Sequence, residues 1–135
     1  MFMTNDWIEF EESGYELRRN SPRVLLTREK MFRLNARAME LLGVPTSVKL
    51  FFDISRNRIG IRGEAANAKN AFPIRRRDNG KSAIVHGSLF CNRFGIRPES
   101  TLEFDGVQLD GDGILILDVS TATRPAGRSR FNRSL

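Results

Sequence analysis

Residues 41–53, LLGVPTSVKLFFD, and residues 93–105, RFGIRPESTLEFD, follow one pattern 52 positions apart. Gly43 coincides with Gly95 and Asp53 with Asp105, while Phe32 matches Ile84, Ala38 matches Phe90, Leu42 matches Phe94, Val44 matches Ile96, Leu50 matches Leu102 and Phe52 matches Phe104. Few letters are identical. What recurs is geometry: a helix stop that needs glycine, an apolar residue after it, and an inward-facing pair two apart on the following strand.

The punctuation around this echo defines two ββαββ units, at residues 22–64 and 72–120, joined by a linker at 65–71. In the first, VLLT reads as a strand, REK as a turn and MFRL as a second strand. Asn35 suits the N-cap of a helix ARAMELL that stops at Gly43; SVKLFFD and RIGIR follow as alternating strands. In the second, FPIRR leads into DNGK, whose Asn79-Gly80 pair suits the positive φ angles of a tight hairpin. SAIVH, a helix LFCNRF capped by Gly87 or Ser88, a single strand STLEFDGVQ, the turn LDGDG and the strand ILILDV complete it. Residues 1–21 form an N-terminal arm that reads as a hairpin or as a helical turn, and residues 121–135 form a basic tail with no apolar period, expected to be disordered. Neither a helix of about eight residues nor a four-stranded sheet with one greasy side is stable alone. The fold class expected is therefore mainly β with short helices (α+β), the two units facing each other as an internally duplicated, pseudo-dimeric barrel.

A ββαββ unit whose helix ends in Leu-Gly-hydrophobic and runs into an alternating strand resembles the swapped-hairpin barrels of the AbrB and MazE type. The matching residues run from Met31 to Phe52 with Ile59 to Ile61, and from Ala83 to Phe104 with Ile114 to Ile116. The resemblance implies DNA-binding transcriptional regulators or the DNA-binding half of antitoxins. It also implies interleaved hairpins, here supplied by one chain. Lys30 and Lys81 stand nearest the basic residues that the family carries around its first turn. The chain departs from the family at Asn35 and Gly87, where proline is usual, and at Thr46-Ser47 and Glu99-Ser100, where Gly-Asp is usual. It departs again at Met39, Glu40, Cys91 and Asn92, where regulators of this kind carry basic helix residues.

Charge is uneven along the chain. Residues 21–82 hold 14 Lys or Arg against 5 Asp or Glu, whereas residues 83–120 hold 2 against 6 and residues 1–20 hold 2 against 5. The nucleic-acid-binding residues expected are therefore Arg23, Arg28, Lys30 and Arg33 in the first hairpin and Arg75, Arg76, Arg77 and Lys81 in the second, with Arg128 and Arg130 in the tail. If the units face each other, the two hairpins bring these groups to one surface. The alternative is a protein-interaction module that self-associates through oppositely charged halves, or that engages a partner through Trp7 and Phe10 of the acidic arm.

Other chemistry is poorly supplied. His86 and Cys91 are the sole residues of their types; the repeat places His86 at a barrel-facing position and both read as structural. Asp53 and Asp105 each end a strand, where aspartate commonly bonds its own backbone, although a shared-proton dyad is the sharper alternative. DGDG at 110–113 lacks the ligands of a calcium loop and reads as a turn. No enzyme activity, cofactor or metal is expected. One cysteine, an acidic N-terminus and the lack of an 18-residue apolar run point to a cytoplasmic protein without a membrane partner.

Overall fold

The computed structural model describes residues 7–9, 21–77 and 79–124. The strands are β1 (Arg23–Leu26), β2 (Met31–Asn35), β3 (Ser47–Asp53), β4 (Arg58–Glu64), β5 (Phe72–Pro73), β6 (Arg75–Arg77), β7 (Ser82–His86), β8 (Leu102–Asp105), β9 (Gln108–Leu109) and β10 (Ile114–Asp118). Two short helices, α1 (Ala36–Leu41) and α2 (Ser88–Phe94), follow β2 and β7, and a 3-10 turn spans Val119–Thr121. The fold is mainly β, in two antiparallel sheets: sheet I in the order β6-β7-β2-β1-β8 and sheet II in the order β5-β3-β4-β10-β9. The expected barrel does not close; the ladders stay as two separate five-stranded sheets.

Alternation in the sequence decides which side of each sheet is buried. In sheet I the fully buried Val24 and Leu26 stand opposite Leu34 and Phe32, and Phe32 and Leu34 stand opposite Val85 and Ala83. In sheet II, Val48, Ile59, Ile61, Leu115 and Leu117 are buried, with Leu50 and Phe52 packed against them. These inward rows, with Ala38 and Met39 of α1 and Phe90 and Cys91 of α2, form one hydrophobic cluster. The rings of Phe32, Phe90, Phe94 and Phe52 continue it in a chain of contacts with centroids 5.2–6.3 Å apart.

Both helices end in the same way. Val44 N–H bonds to Met39 O and Gly43 N–H to Glu40 O; Ile96 N–H bonds to Cys91 O and Gly95 N–H to Asn92 O. This paired closure requires a left-handed residue, and Gly43 (φ 83°) and Gly95 (φ 69°) supply it. The starts differ. Asn35 Oδ1 accepts from Ala38 N–H, capping α1, and from Arg23 N–H, while its Nδ2 donates to Ser21 O. Gly87 offers α2 no side-chain cap. A Cβ there would lie 2.6 Å from Phe32 Cε2, so close packing dictates the residue.

Several expectations need correction. FPIRR is not one strand: it breaks at Ile74, with β5 pairing β3 in sheet II and β6 pairing β7 in sheet I. STLEFDGVQ breaks likewise, because Gly106 at φ 66° turns the chain and the amides of Gly106 and Val107 both donate to Pro22 O. β8 thus joins β1 while β9 joins β10. The offset of 52 also fails across β7. It equates core-facing Phe32 with Ile84, but Val85 stands opposite Phe32 and shares its side, which turns Ile84 and His86 to the outer side; His86 is exposed, not barrel-facing. The start of the presumed disordered tail is ordered: Thr123 bridges Glu103 through two backbone hydrogen bonds. The proposed hairpin or cap of the N-terminal arm, Phe10 included, lies outside the described residues, as does the tail beyond residue 124. Among the described residues no helix is long and apolar enough to cross a membrane.

Candidate nucleic-acid interface

The outer face of sheet I collects the basic side chains. Phe32 and Leu34 must point inward, so Arg33 between them is exposed on the other side. It stands in register with Ile84 of β7, which in turn faces Arg75 of β6. Arg33 and Arg75 thus lie two strands apart, about 10 Å, with Arg77 about 7 Å from Arg75 along β6. Arg75, Arg76 and Arg77 are all exposed. By strand parity Arg76 belongs to the opposite face, where its Nη1 donates to Gly80 O.

Pairing separates these arginines from others. Among the described residues no carboxylate lies within ion-pair distance of Arg28, Arg33, Arg75, Arg76, Arg77 or Lys81. Arg23, expected to share the role, is committed elsewhere: its Nε sits 3.0 Å from Glu103 Oε2 and 3.7 Å from Asp105 Oδ1. The face therefore runs from uncompensated arginine at the β6 edge to one arginine between two carboxylates at the β8 edge.

The two basic turns do not converge. β2 begins at Met31, paired with the last residue of β7, His86, and ends at Asn35, paired with the first, Ser82. The turn holding Arg28 and Lys30 therefore lies at one end of this ladder and the turn holding Lys81 at the other, about 14 Å of strand away. Lys30, at φ 68°, is turned toward α2, where its Nζ donates to Asn92 Oδ1. The residues brought together are those on the strands, Arg33 with Arg75 and Arg77. Arg128 and Arg130 lie outside the described residues.

The rival constellations are held apart. Cys91 is fully buried, and loss of water pushes its thiol pKa up, against a smaller opposing pull from Lys30. His86 is exposed on β7, so the pair shares no surface. Asp53 and Asp105 sit on different sheets, each with its own cation. Hydrogen bonds from Arg58 first, then Ser55, hold the Asp53 carboxyl below the usual range; its bond from Arg56 N–H gives it the turn role read from the sequence. Asp110 is lowered likewise by the amides of Ile114 and Asp112, closing the DGDG turn. Among the described residues no group of three His, Cys, Asp or Glu side chains is placed to hold a metal. A depression of about 150 Å³ on the outer face of sheet II is lined by Phe51, Ile114 and Ile116 around Gly60, and one of about 290 Å³ lies between the β8–β9 turn and β10.

A scan against protein-family models and searches of curated proteins and of solved structures return no match to the chain.

Sequence reasoning missed the place of Ile84. It is 5% exposed on the outer face, flanked by Arg33 and Arg75, and lies outside the inter-sheet cluster. The signal available was the alternation of SAIVH, which assigns Ala83 and Val85 to one side once their partner strand is known.

Proposed function

We propose that this protein binds nucleic acid, as a DNA-binding regulator of AbrB-like type, through the outer face of sheet I and not through its hairpin turns. The observation that carries the reading is the set Arg33, Arg75 and Arg77: three exposed guanidiniums on one face, with no carboxylate partner among the described residues. Guanidinium forks suit phosphate oxygens, and unneutralised ones give a polyanion a local field to follow. We hold with this the internally duplicated, swapped-hairpin relationship of the two units. Support comes from β2 pairing antiparallel with β7, from β4 pairing antiparallel with β10, and from the shared closure of α1 and α2. Self-association through oppositely charged halves would have to use the other acids of the second half, since Glu103 and Asp105 are engaged by Arg23.

The test is fluorescence anisotropy of a labelled random duplex against the full chain over a salt series. Binding at low salt should weaken steeply as salt rises, with a log–log slope of about −3 for three phosphate contacts. No binding at low salt, or binding unchanged when Arg33, Arg75 and Arg77 become Ala, would overturn the reading.

A further inference from the structure

The ends of a sheet expose rows of unpaired amides and carbonyls, and this molecule treats its four ends differently. The β8 border is covered by Thr123, which exchanges both backbone hydrogen bonds with Glu103. At the borders of sheet II, β5 has two residues, one of them Pro73, which has no N–H to offer, and β9 also has two. Of the two borders longer than two residues, β8 is bridged at Glu103, while β6, three residues without proline, has nothing paired to its outer side among the described residues.

We propose that β6 is an acceptor strand for an acidic extended peptide, which would add to sheet I beside Arg75, Arg76 and Arg77 and set carboxylates opposite Arg75 and Arg77. Three considerations select that partner. A short exposed border satisfies an incoming strand through its main chain, and side chains choose which strand is taken. All three residues are arginine and exposed, with no carboxylate pairing them among the described residues, so opposite charge is the missing complement. A second copy of β6 is disfavoured, because like charges would then stand directly across from one another. This goes beyond the nucleic-acid reading, since it uses the backbone of β6. It also predicts regulation of that surface: a peptide seated there would neutralise Arg75 and Arg77, so peptide and duplex should exclude each other.

The experiment measures amide hydrogen exchange in the full chain with three probes: a peptide of alternating Glu and Val, one of alternating Lys and Val, and a random duplex. The Glu peptide should slow exchange of β6 amides about tenfold or more, the Lys peptide should leave it unchanged, and added duplex should reverse the protection. In the double variant R75E/R77E the preference should switch to the Lys peptide, an outcome that misfolding cannot imitate. Loss of all peptide binding in that variant would count for the charge requirement when the β2 and β7 amides keep the exchange rates of the unaltered chain, which shows sheet I intact. Failure of the Glu peptide to protect β6 would overturn the inference, and if duplex nonetheless binds, the nucleic-acid reading survives it. Protection by the Glu peptide without any duplex binding would support the inference and remove the nucleic-acid reading.

Discussion

On the outer face of sheet II, Arg58 reaches Asp53 Oδ2 through both Nε and Nη2, and Arg62 Nε sits 2.7 Å from Glu64 Oε2 while its guanidinium lies 5.0 Å from the Phe51 ring centre. On the outer face of sheet I, Arg33, Arg75 and Arg77 have no such neighbour among the described residues. The cause is in the strands. β3 and β4 carry their own acids, Asp53 and Glu64, in register with or two residues from the arginines, whereas MFRLN, RRR and SAIVH contain no acid at all. A net charge summed over residues 21–82 therefore misplaces the field: the arginines of β4 are held by carboxylates at their side, while those of β2 and β6 project.

The largest effect expected from this contrast is on binding. Replacing Arg33, Arg75 and Arg77 together by Ala should weaken duplex affinity at low salt about a hundredfold or more, with the salt slope falling by about one for each arginine lost. Arg58→Ala and Arg62→Ala should each change it by no more than about twofold, because those charges are already satisfied. Equal losses from the two faces, read by anisotropy, would break the distinction between them.

Next come two glycines that allow close packing on opposite sheets. Gly87→Ala drives a methyl group to 2.6 Å from a ring carbon of the fully buried Phe32, and should cost about 2–3 kcal/mol in denaturant unfolding. Gly60→Ala meets Ile114 Cγ2 at the same 2.6 Å, but Ile114 is only partly buried and can swing aside, so about 1 kcal/mol is expected. Gly111→Ala, with nothing within 4 Å, should lie within about 0.5 kcal/mol of the parent. The reverse order would mean that sheet II is the more rigid of the two.

The smallest effect concerns pH. Asp53 titrates below its ordinary value because Arg58 and Ser55 bond its charged form. A depressed folded pKa stabilises above the unfolded value of about 3.9 and loses that contribution as pH falls through the folded value. Asp53→Asn should therefore be less stable than the parent near neutrality, and the gap should narrow as pH drops below about 4. A gap that persists to pH 2 would assign the Asp53 role to packing instead of charge.

Local features were legible. Asn35 as a cap, Gly43 and Gly95 as stops, Asn79 and Gly80 at positive φ and DGDG as a turn all follow from residues within a few positions of each other. What was not legible depends on partners far along the chain. The salt bridge of Arg23 with Glu103 needs the β1·β8 register, and the facing of Ile84 and His86 needs the β2·β7 register, where a single step reverses every side chain. The separation of the basic turns has the same origin. Two hairpins related by a repeat invite the expectation of a shared tip, but antiparallel pairing of β2 with β7 sends their tips apart.

Thr123 has a consequence for how the molecule meets others of its kind. By clasping Glu103 it hems one margin of sheet I with the chain's own thread. A chain cut at Ala122 would leave the Glu103 amide and carbonyl bare beside Leu102 and Phe104, and a finished selvedge would become a second sticky seam, open to fibre-like growth between molecules.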